Sequence, residues 1–252
     1  MTPPWGTKQL RRLGEALRDG REPPAGSPPY RDVTMWFTDL AATVQSQISD
    51  LDWHRILGDT AFDITSRSKT IDTLRQKLQR DRHTPLPSIQ DIAGVRFEAD
   101  MSISVQDEVA RKIAELFGHD PDDRRVVKDL RTTPHSGYRA VHVWLKLPDG
   151  RVEVQIRTAL QGAWANVYER AADVFGREIR YGQLPRDQAQ RQYVQTLIAL
   201  SEHQVANFEE MLDSASPEDA SLQAQLSVGK SQVLSGFTKL GVMLEQLKEK
   251  GV

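Results

Sequence analysis

The sequence predicts an α+β protein, a mixed α/β arrangement in which a mixed β-sheet of about five strands is flanked by helices. Three observations carry that expectation. Val141, Val143, Leu145 and Leu147 alternate along residues 138–147, and Pro148-Asp149-Gly150 then turns the chain into the apolar run 152–156, the pattern of a β-hairpin. Residues 92–99 read as a buried strand. Helical spacing recurs before, between and after these stretches, which interleaves helices with strands.

The elements follow in chain order. Residues 1–30 contain Pro3, Pro4, Pro23, Pro24, Pro28 and Pro29 with several glycines, so most of this segment is expected to be mobile or extended, with Trp5 and residues 9–17 offering a short docking helix. Met35, Trp36, Leu40, Val44, Ile48, Leu51 and Ile56 recur at helical spacing, predicting one long helix over 32–57 that Gly58 ends. A strand over 61–66 and a helix over 70–80 bearing Arg75, Lys77 and Arg80 come next, and the turn at 85–88 leads into the buried strand. Val109, Ile113 and Leu116 share one face of a helix over 105–117, followed by a strand over 125–130, the hairpin, and a helix over 159–175. After a break at 181–185, two long helices are predicted over 186–212 and 220–248. In the last of these, Leu226, Val233, Phe237, Leu240, Leu244 and Leu247 form an apolar seam. The seam packs back on the domain or, given Gly236 and Gly241 within it, offers a surface for a homo-oligomer or for a neutralising antitoxin. The chain thus divides into a segment 1–30, a central domain 31–182 and a helical extension 183–252.

Composition narrows the function classes. With 252 residues, 38% hydrophobic and 27% charged, the chain has room for a substantial core. No apolar run approaches the ~20 residues that cross a bilayer, and the first residues lack the basic-then-apolar pattern of a secretory signal; a cytoplasmic location without membrane attachment is expected. The absence of cysteine excludes disulfides, thiolate zinc sites and cysteine nucleophiles. A formal charge of −2 argues against a generally basic nucleic-acid binder while leaving room for a local basic groove.

The chemistry concentrates in three separated pieces: Asp91-Ile-Ala-Gly-Val-Arg96, Ser136-Gly-Tyr-Arg-Ala-Val-His142 and Glu153-Val-Gln-Ile-Arg-Thr158. The first and third each set one carboxylate beside a β-branched run, as a sheet presents acids to a divalent ion, and magnesium takes one or two carboxylates while leaving positions for water and phosphates. The middle piece sets an aromatic face beside a glycine turn, suited to stacking a base. Gln155 and Arg157 share a strand face with Glu153 because side chains alternate with period two, and His142 lies on the opposite arm of the hairpin. Taken singly, each has a plainer reading: Asp91 as a cap or turn, Arg96 and Arg157 as edge salt-bridge partners, Tyr138 as a core edge, His142 as a satisfied half-buried histidine.

Their joint order is what tips the balance. Arg67-Ser-Lys69 with a basic helix behind it, then DIAGVR, SGYR with a later histidine, EVQIRT and Trp164 resemble, in that order, the RelA/SpoT synthetase family of pyrophosphokinases, over roughly residues 64–164. The resemblance implies a nucleotidyltransferase-like synthetase domain, of the single-domain small alarmone synthetase type, which transfers the β,γ-pyrophosphate of ATP to a ribose 3'-hydroxyl with Mg2+. It implies Asp91 and Glu153 as catalytic metal ligands, with Glu153 alternatively accepting the hydroxyl proton. It sets Arg67 and Arg96 against the two faces of the adenine, where a guanidinium plane stacks, and Lys69, Arg75 and Lys77 at the phosphates. Tyr138 matches the residue that stacks on the acceptor base with Gly137 letting the backbone pass close beneath, and Gln155, Arg157 and His142 orient acceptor or pyrophosphate. Trp164 reads as core packing, and His119-Asp120 as a loop.

Two departures from the family pattern fall on the acceptor side. Pro134-His135 stands where many members have a lysine or arginine before the glycine-tyrosine turn, and Trp164-Ala-Asn-Val-Tyr-Glu169 stands where many carry a Glu-His pair. Asp173 and residues 176–181, Gly-Arg-Glu-Ile-Arg-Tyr, resemble the toxic branch of small synthetases, some of which pyrophosphorylate the 3' CCA end of tRNA. The acceptor is therefore GDP or GTP, giving (p)ppGpp, or the tRNA 3' adenosine. For tRNA, Arg124, Arg125, Lys128 and Arg131, or Arg177 with Arg180, form candidate basic strips outside the pocket, with plain solubilising charge the other reading. A third alternative, from a different class, is a catalytically inactive nucleotide-sensing or partner-binding module, against which the retained Arg67, Lys69, Asp91, Arg96, Tyr138 and Glu153 speak.

Overall fold

The computed structural model describes residues 2–216 and 218–249. At its centre lies a five-stranded sheet, in the order β1-β2-β5-β4-β3, built from β1 Phe62–Ser68, β2 Ala93–Ala99, β3 Val127–Asp129, β4 Val141–Leu147 and β5 Gly150–Thr158. The β2–β5 pairing is parallel and the others antiparallel, so the sheet is mixed, as the interleaved sequence pattern requires.

Strand alternation divides the sheet into two unlike faces. Val95, Phe97, Val143, Leu145, Val154 and Ile156 are buried in one core with residues of α1 Thr7–Asp19, α2 Tyr30–Ser49 and α5 Ile103–Leu116. On the opposite face the strand register aligns polar rows: Arg67 with Gly94 and Glu153, Arg96 with Gln155 and His142, and Glu98 with Arg157. Past β5, α6 Ala159–Phe175, α7 Gln188–Ala199, α8 Ala206–Ser214 and α9 Ala220–Glu249 build a second core around Trp164, Leu197, Phe237 and Leu244. The short helices α3 His54–Leu57 and α4 Ile71–Arg80 complete the set, with α4 lying between β1 and β2 in the chain.

Two predicted helices change, and the readings left open for residues 1–30 and for the C-terminal seam are decided. Residues 1–30 are not extended throughout: α1 buries Leu10, Leu13 and Leu17, and Gly14 lets it press so close to the turn Leu86–Ser88 that a Cβ at 14 would stand 2.6 Å from the Leu86 Cβ. The helix over 32–57 is broken into α2 and α3; past the end of α2 the Leu51 amide folds back on the Ile48 carbonyl at 3.3 Å, and the buried Trp53 indole donates to the same carbonyl at 2.8 Å. The helix over 186–212 is interrupted by a π-helical turn, Leu200–Val205, between α7 and α8. The C-terminal seam packs back on its own domain, with Leu226, Phe237 and Leu244 buried and Gly241 lying against the Arg170 guanidinium of α6. Trp164 is core as expected, stacked on Tyr168 and donating to the Leu197 carbonyl at 2.7 Å.

Candidate active site

The polar face of the sheet opens into a cleft of about 530 Å³ whose lining includes Arg67, Lys69, Lys77, Asp91, Glu153 and Arg157. Asp91 comes from the segment entering β2. The buried Gln90 amide just before it donates to the carbonyls of Leu145 (3.1 Å) and Val152 (2.8 Å), tying that segment to the β4–β5 hairpin. The Lys69 amide donates to the Ile92 carbonyl at 3.0 Å, which brings the end of β1 alongside. Both lysine ammonium groups then converge on the Asp91 carboxylate, Lys77 at 2.6 Å and Lys69 at 3.1 Å.

Helical period explains which residues of α4 take part. Thr73, Gln76, Lys77 and Arg80 line the cleft at steps of three, one and three residues, one face of a helix. Arg75, expected at the phosphates, is two residues and about 200° of helix from Lys77; it is absent from the lining and lies 3.6 Å from Asp72. Arg80 takes part instead, its guanidinium carbon 3.8 Å from the centre of the Tyr181 ring.

Glu153, His142, Tyr138, Arg157 and Gln155 form a closed ring of side chains. His142 Nδ1 lies 3.3 Å from Glu153 Oε1, and His142 Nε2 lies 2.9 Å from Tyr138 Oη. Arg157 Nη2 donates to Tyr138 Oη at 3.0 Å and to Gln155 Oε1 at 3.1 Å, while Gln155 Nε2 donates to Glu153 Oε2 at 2.8 Å. Burial alone would push the Glu153 pKa up, but His142, the Gln155 amide and the nearby Lys77 together hold it down to about 2. Burial likewise disfavours charge on His142, and the adjoining Tyr138 and Glu153 overcome it and raise it to about 9. Near neutral pH the imidazole is therefore cationic and donates from both nitrogens. Burial would raise the Tyr138 hydroxyl, and the two cationic donors, Arg157 and His142, bring it below its ordinary value.

Arg67 lines the cleft, whereas Arg96 sits beside it on the same sheet face with its Nε 3.6 Å from Glu98. Burial, then repulsion from Arg157, lowers the Arg96 pKa, with Arg67 adding to the effect. Gly137 has φ of +79°, and its missing side chain makes room for protein rather than ligand: a Cβ there would lie 2.8 Å from Trp164 and 3.1 Å from the Ile198 Cα. Of the two basic strips, the first is largely engaged: Arg131 with Asp107 and Asp129, Arg125 with Asp123, and Lys128 over the Trp144 ring. Arg177 and Arg180 line the cleft itself, with Arg180 on Glu169 at 2.5 Å. His119 is a structural loop residue whose Nε2 accepts from the Lys146 amide. Arg80 and Tyr181 line the cleft, and Glu98 bonds Arg157 beside it, outside the predicted site residues; the four-residue helical stripe from Thr73 was a signal for the first, the stretch 176–181 for the second and the Gly94-Arg96-Glu98 alternation for the third.

The mixed five-stranded sheet with its flanking helices is a fold shared with solved small alarmone synthetases. Small alarmone synthetase 2 from Bacillus subtilis superposes with a TM-score of 0.52 at 19% identity, covering 73% of this chain and 95% of that one. A GTP pyrophosphokinase family protein from Streptococcus pneumoniae gives 0.52 at 19% identity over 78% and 96%. At such identity the likeness is one of fold. Residues 66–172 match a family model described as "Region found in RelA / SpoT proteins", so the chain carries a RelA/SpoT region. Uncharacterized proteins of Mycobacterium tuberculosis and Mycobacterium bovis are each 51% identical over 187 residues, 74% of this chain and 66% of theirs, so the chain spans just under two thirds of the curated relatives it matches.

Proposed function

We propose that the chain is an ATP-dependent pyrophosphokinase that transfers the β,γ-pyrophosphate of ATP to the 3'-hydroxyl of GDP or GTP. The observation that carries this reading is the meeting of Asp91 and Glu153, 62 residues apart in the chain, in one cleft with Lys69 and Lys77. The donor set fits Mg2+: two hard carboxylates are what magnesium takes when phosphates and water complete its shell. Two ammonium groups already gather at Asp91, where a cation belongs. Among the described residues no group of three or more His, Asp or Glu forms a metal cage, and water with substrate phosphates would complete the shell around the two carboxylates. Asp91 and Glu153 would hold the ion, which supplies neutralisation of the charge that develops on the phosphate oxygens.

The chain's own residues do the rest by positioning and electrostatics. Arg67 and Arg96 hold the adenine, Lys69 and Lys77 meet the phosphates, and Arg80 extends the same basic face. Tyr138 stacks on the acceptor base, with its hydroxyl fixed by His142 and Arg157 so that the ring has one orientation. A carboxylate held at about pKa 2 is a weak proton acceptor, which favours Glu153 as an anionic ligand over a general base.

A second acceptor, the 3'-terminal adenosine of tRNA, is favoured by one observation: Arg177 and Arg180 line the cleft beside Tyr181, where a polynucleotide backbone would meet positive charge. The test offers γ-labelled ATP and magnesium to the purified chain with GDP, GTP or deacylated tRNA in parallel. Label in GDP or GTP supports the main reading, label in tRNA alone the second, and label in no acceptor the partner-binding module.

A further inference from the structure

The helical extension reaches back into the sheet. Glu209 of α8 is 3% exposed and accepts from Arg139 Nη1 (2.7 Å), Thr158 Oγ1 (2.5 Å) and Gln161 Nε2 (3.2 Å). Ser201, 2% exposed in the π-helical turn, donates to the Gly137 carbonyl at 2.6 Å. These targets are not scattered. Gly137 and Arg139 flank Tyr138, and Thr158 follows Arg157 directly, so three of the four bonds hold a chain neighbour of a cleft residue, the fourth coming from Gln161 near the start of α6. Tyr138 and Arg157 are themselves bonded at 3.0 Å.

The π-helical turn accounts for the shared direction. In an uninterrupted α-helix Ser201 and Glu209, eight residues apart, would stand about 80° from each other around the axis; one residue absorbed by the wider turn reduces this to about 20°. We infer that residues 200–209 are a positioning clamp, in which Ser201 and Glu209 hold the turn that carries Tyr138 and the end of the strand that carries Arg157 and thereby set the acceptor half of the cleft. The consequence for the acceptor rests on the pyrophosphokinase reading above; the clamp does not.

Hydrogen exchange tests the clamp without substrate, on the full chain. Ser201→Ala is expected to raise exchange of the amides in 136–142 by about three- to tenfold, the scale of one lost hydrogen bond, with strands β2 and β5 unchanged. Glu209→Gln is expected to extend the loss to 157–161; should that variant fail to fold, because Arg139 is left buried without its carboxylate, Ser201→Ala decides alone. Asp213→Asn is the control, since Asp213 anchors the same helix to Ser104 of α5 and not to the motifs. Unchanged exchange at 136–142 in Ser201→Ala, or an equal rise in Asp213→Asn, overturns the clamp. In the transfer assay Ser201→Ala is expected to raise KM for the acceptor about three- to tenfold with KM for ATP unchanged, whereas a merely less stable protein would lose active fraction with both KM values intact. Equal KM values for mutant and wild type would overturn the positioning of the acceptor, and a wild type that transfers to nothing would refute the function proposed above while the exchange result still stands for the clamp.

Discussion

At the scale of single residues, the cleft is a set of charges that hold each other in place. Asp91→Asn and Glu153→Gln keep shape and remove charge, so each is expected to lower transfer by about a hundredfold or more, with the circular dichroism spectrum retained; an active Asp91→Asn protein would remove Asp91 from the metal. The His142–Glu153 pair predicts a pH dependence with a definite sign. Because the folded His142 pKa, about 9, lies above the ordinary 6.5, its contribution to stability is complete below 6.5 and is lost as pH rises through 9. Glu153, lowered from 4.5 to about 2, contributes above 4.5 and loses that contribution as pH falls through 2. Urea midpoints measured from pH 6.5 to 9 are expected to fall for the wild type and to stay level for His142→Gln across the same range. A wild-type midpoint that does not move would mean the imidazole is neutral in the folded chain.

At the scale of elements, α1 is the short docking helix that residues 9–17 offer within a proline-rich segment. Six prolines lie outside it, and the proline-free run holding Leu10, Leu13 and Leu17 joins the main core. Leu13→Ala, at a side chain fully excluded from solvent, is expected to cost ~2–5 kcal/mol in urea unfolding. Gly14→Ala is expected to cost ~1–3 kcal/mol through contact with Leu86. Values near zero for both would mean that α1 does not dock. Strand assignments fared better than helix assignments, since β2, β4 and β5 are set by alternation that reads directly from the chain, whereas at the break after α2 the Leu51 amide and the Trp53 indole both meet the Ile48 carbonyl.

At the scale of the whole molecule, the chain is two cores joined through the sheet's polar face, and among the described residues no helix is long and apolar enough to cross a membrane. Phe237 and Leu244 tie α9 to α6, and Lys230 pairs with Asp100 at the end of β2. Ending the chain after Ser214 is therefore expected to cost several kcal/mol, at ~1.5–3 kcal/mol for each large apolar side chain removed from the core, and to raise binding of an apolar dye. A shortened chain with an unchanged urea midpoint would show α9 to be an appendage. By itself the sequence determined the strand pattern, the apolar faces and the residue types of the cleft, because periodicity and side-chain chemistry are local properties. Only the tertiary structure decided that Arg80 rather than Arg75 faces the cleft, that Gly137 yields to Trp164, and that Ser201 and Glu209 reach the motifs. Those outcomes depend on helix rotation and on contacts between residues distant in the chain, as with the 64 positions from Gly137 to Ser201 and the 70 from Arg139 to Glu209, and no local pattern encodes the angle at which two elements meet.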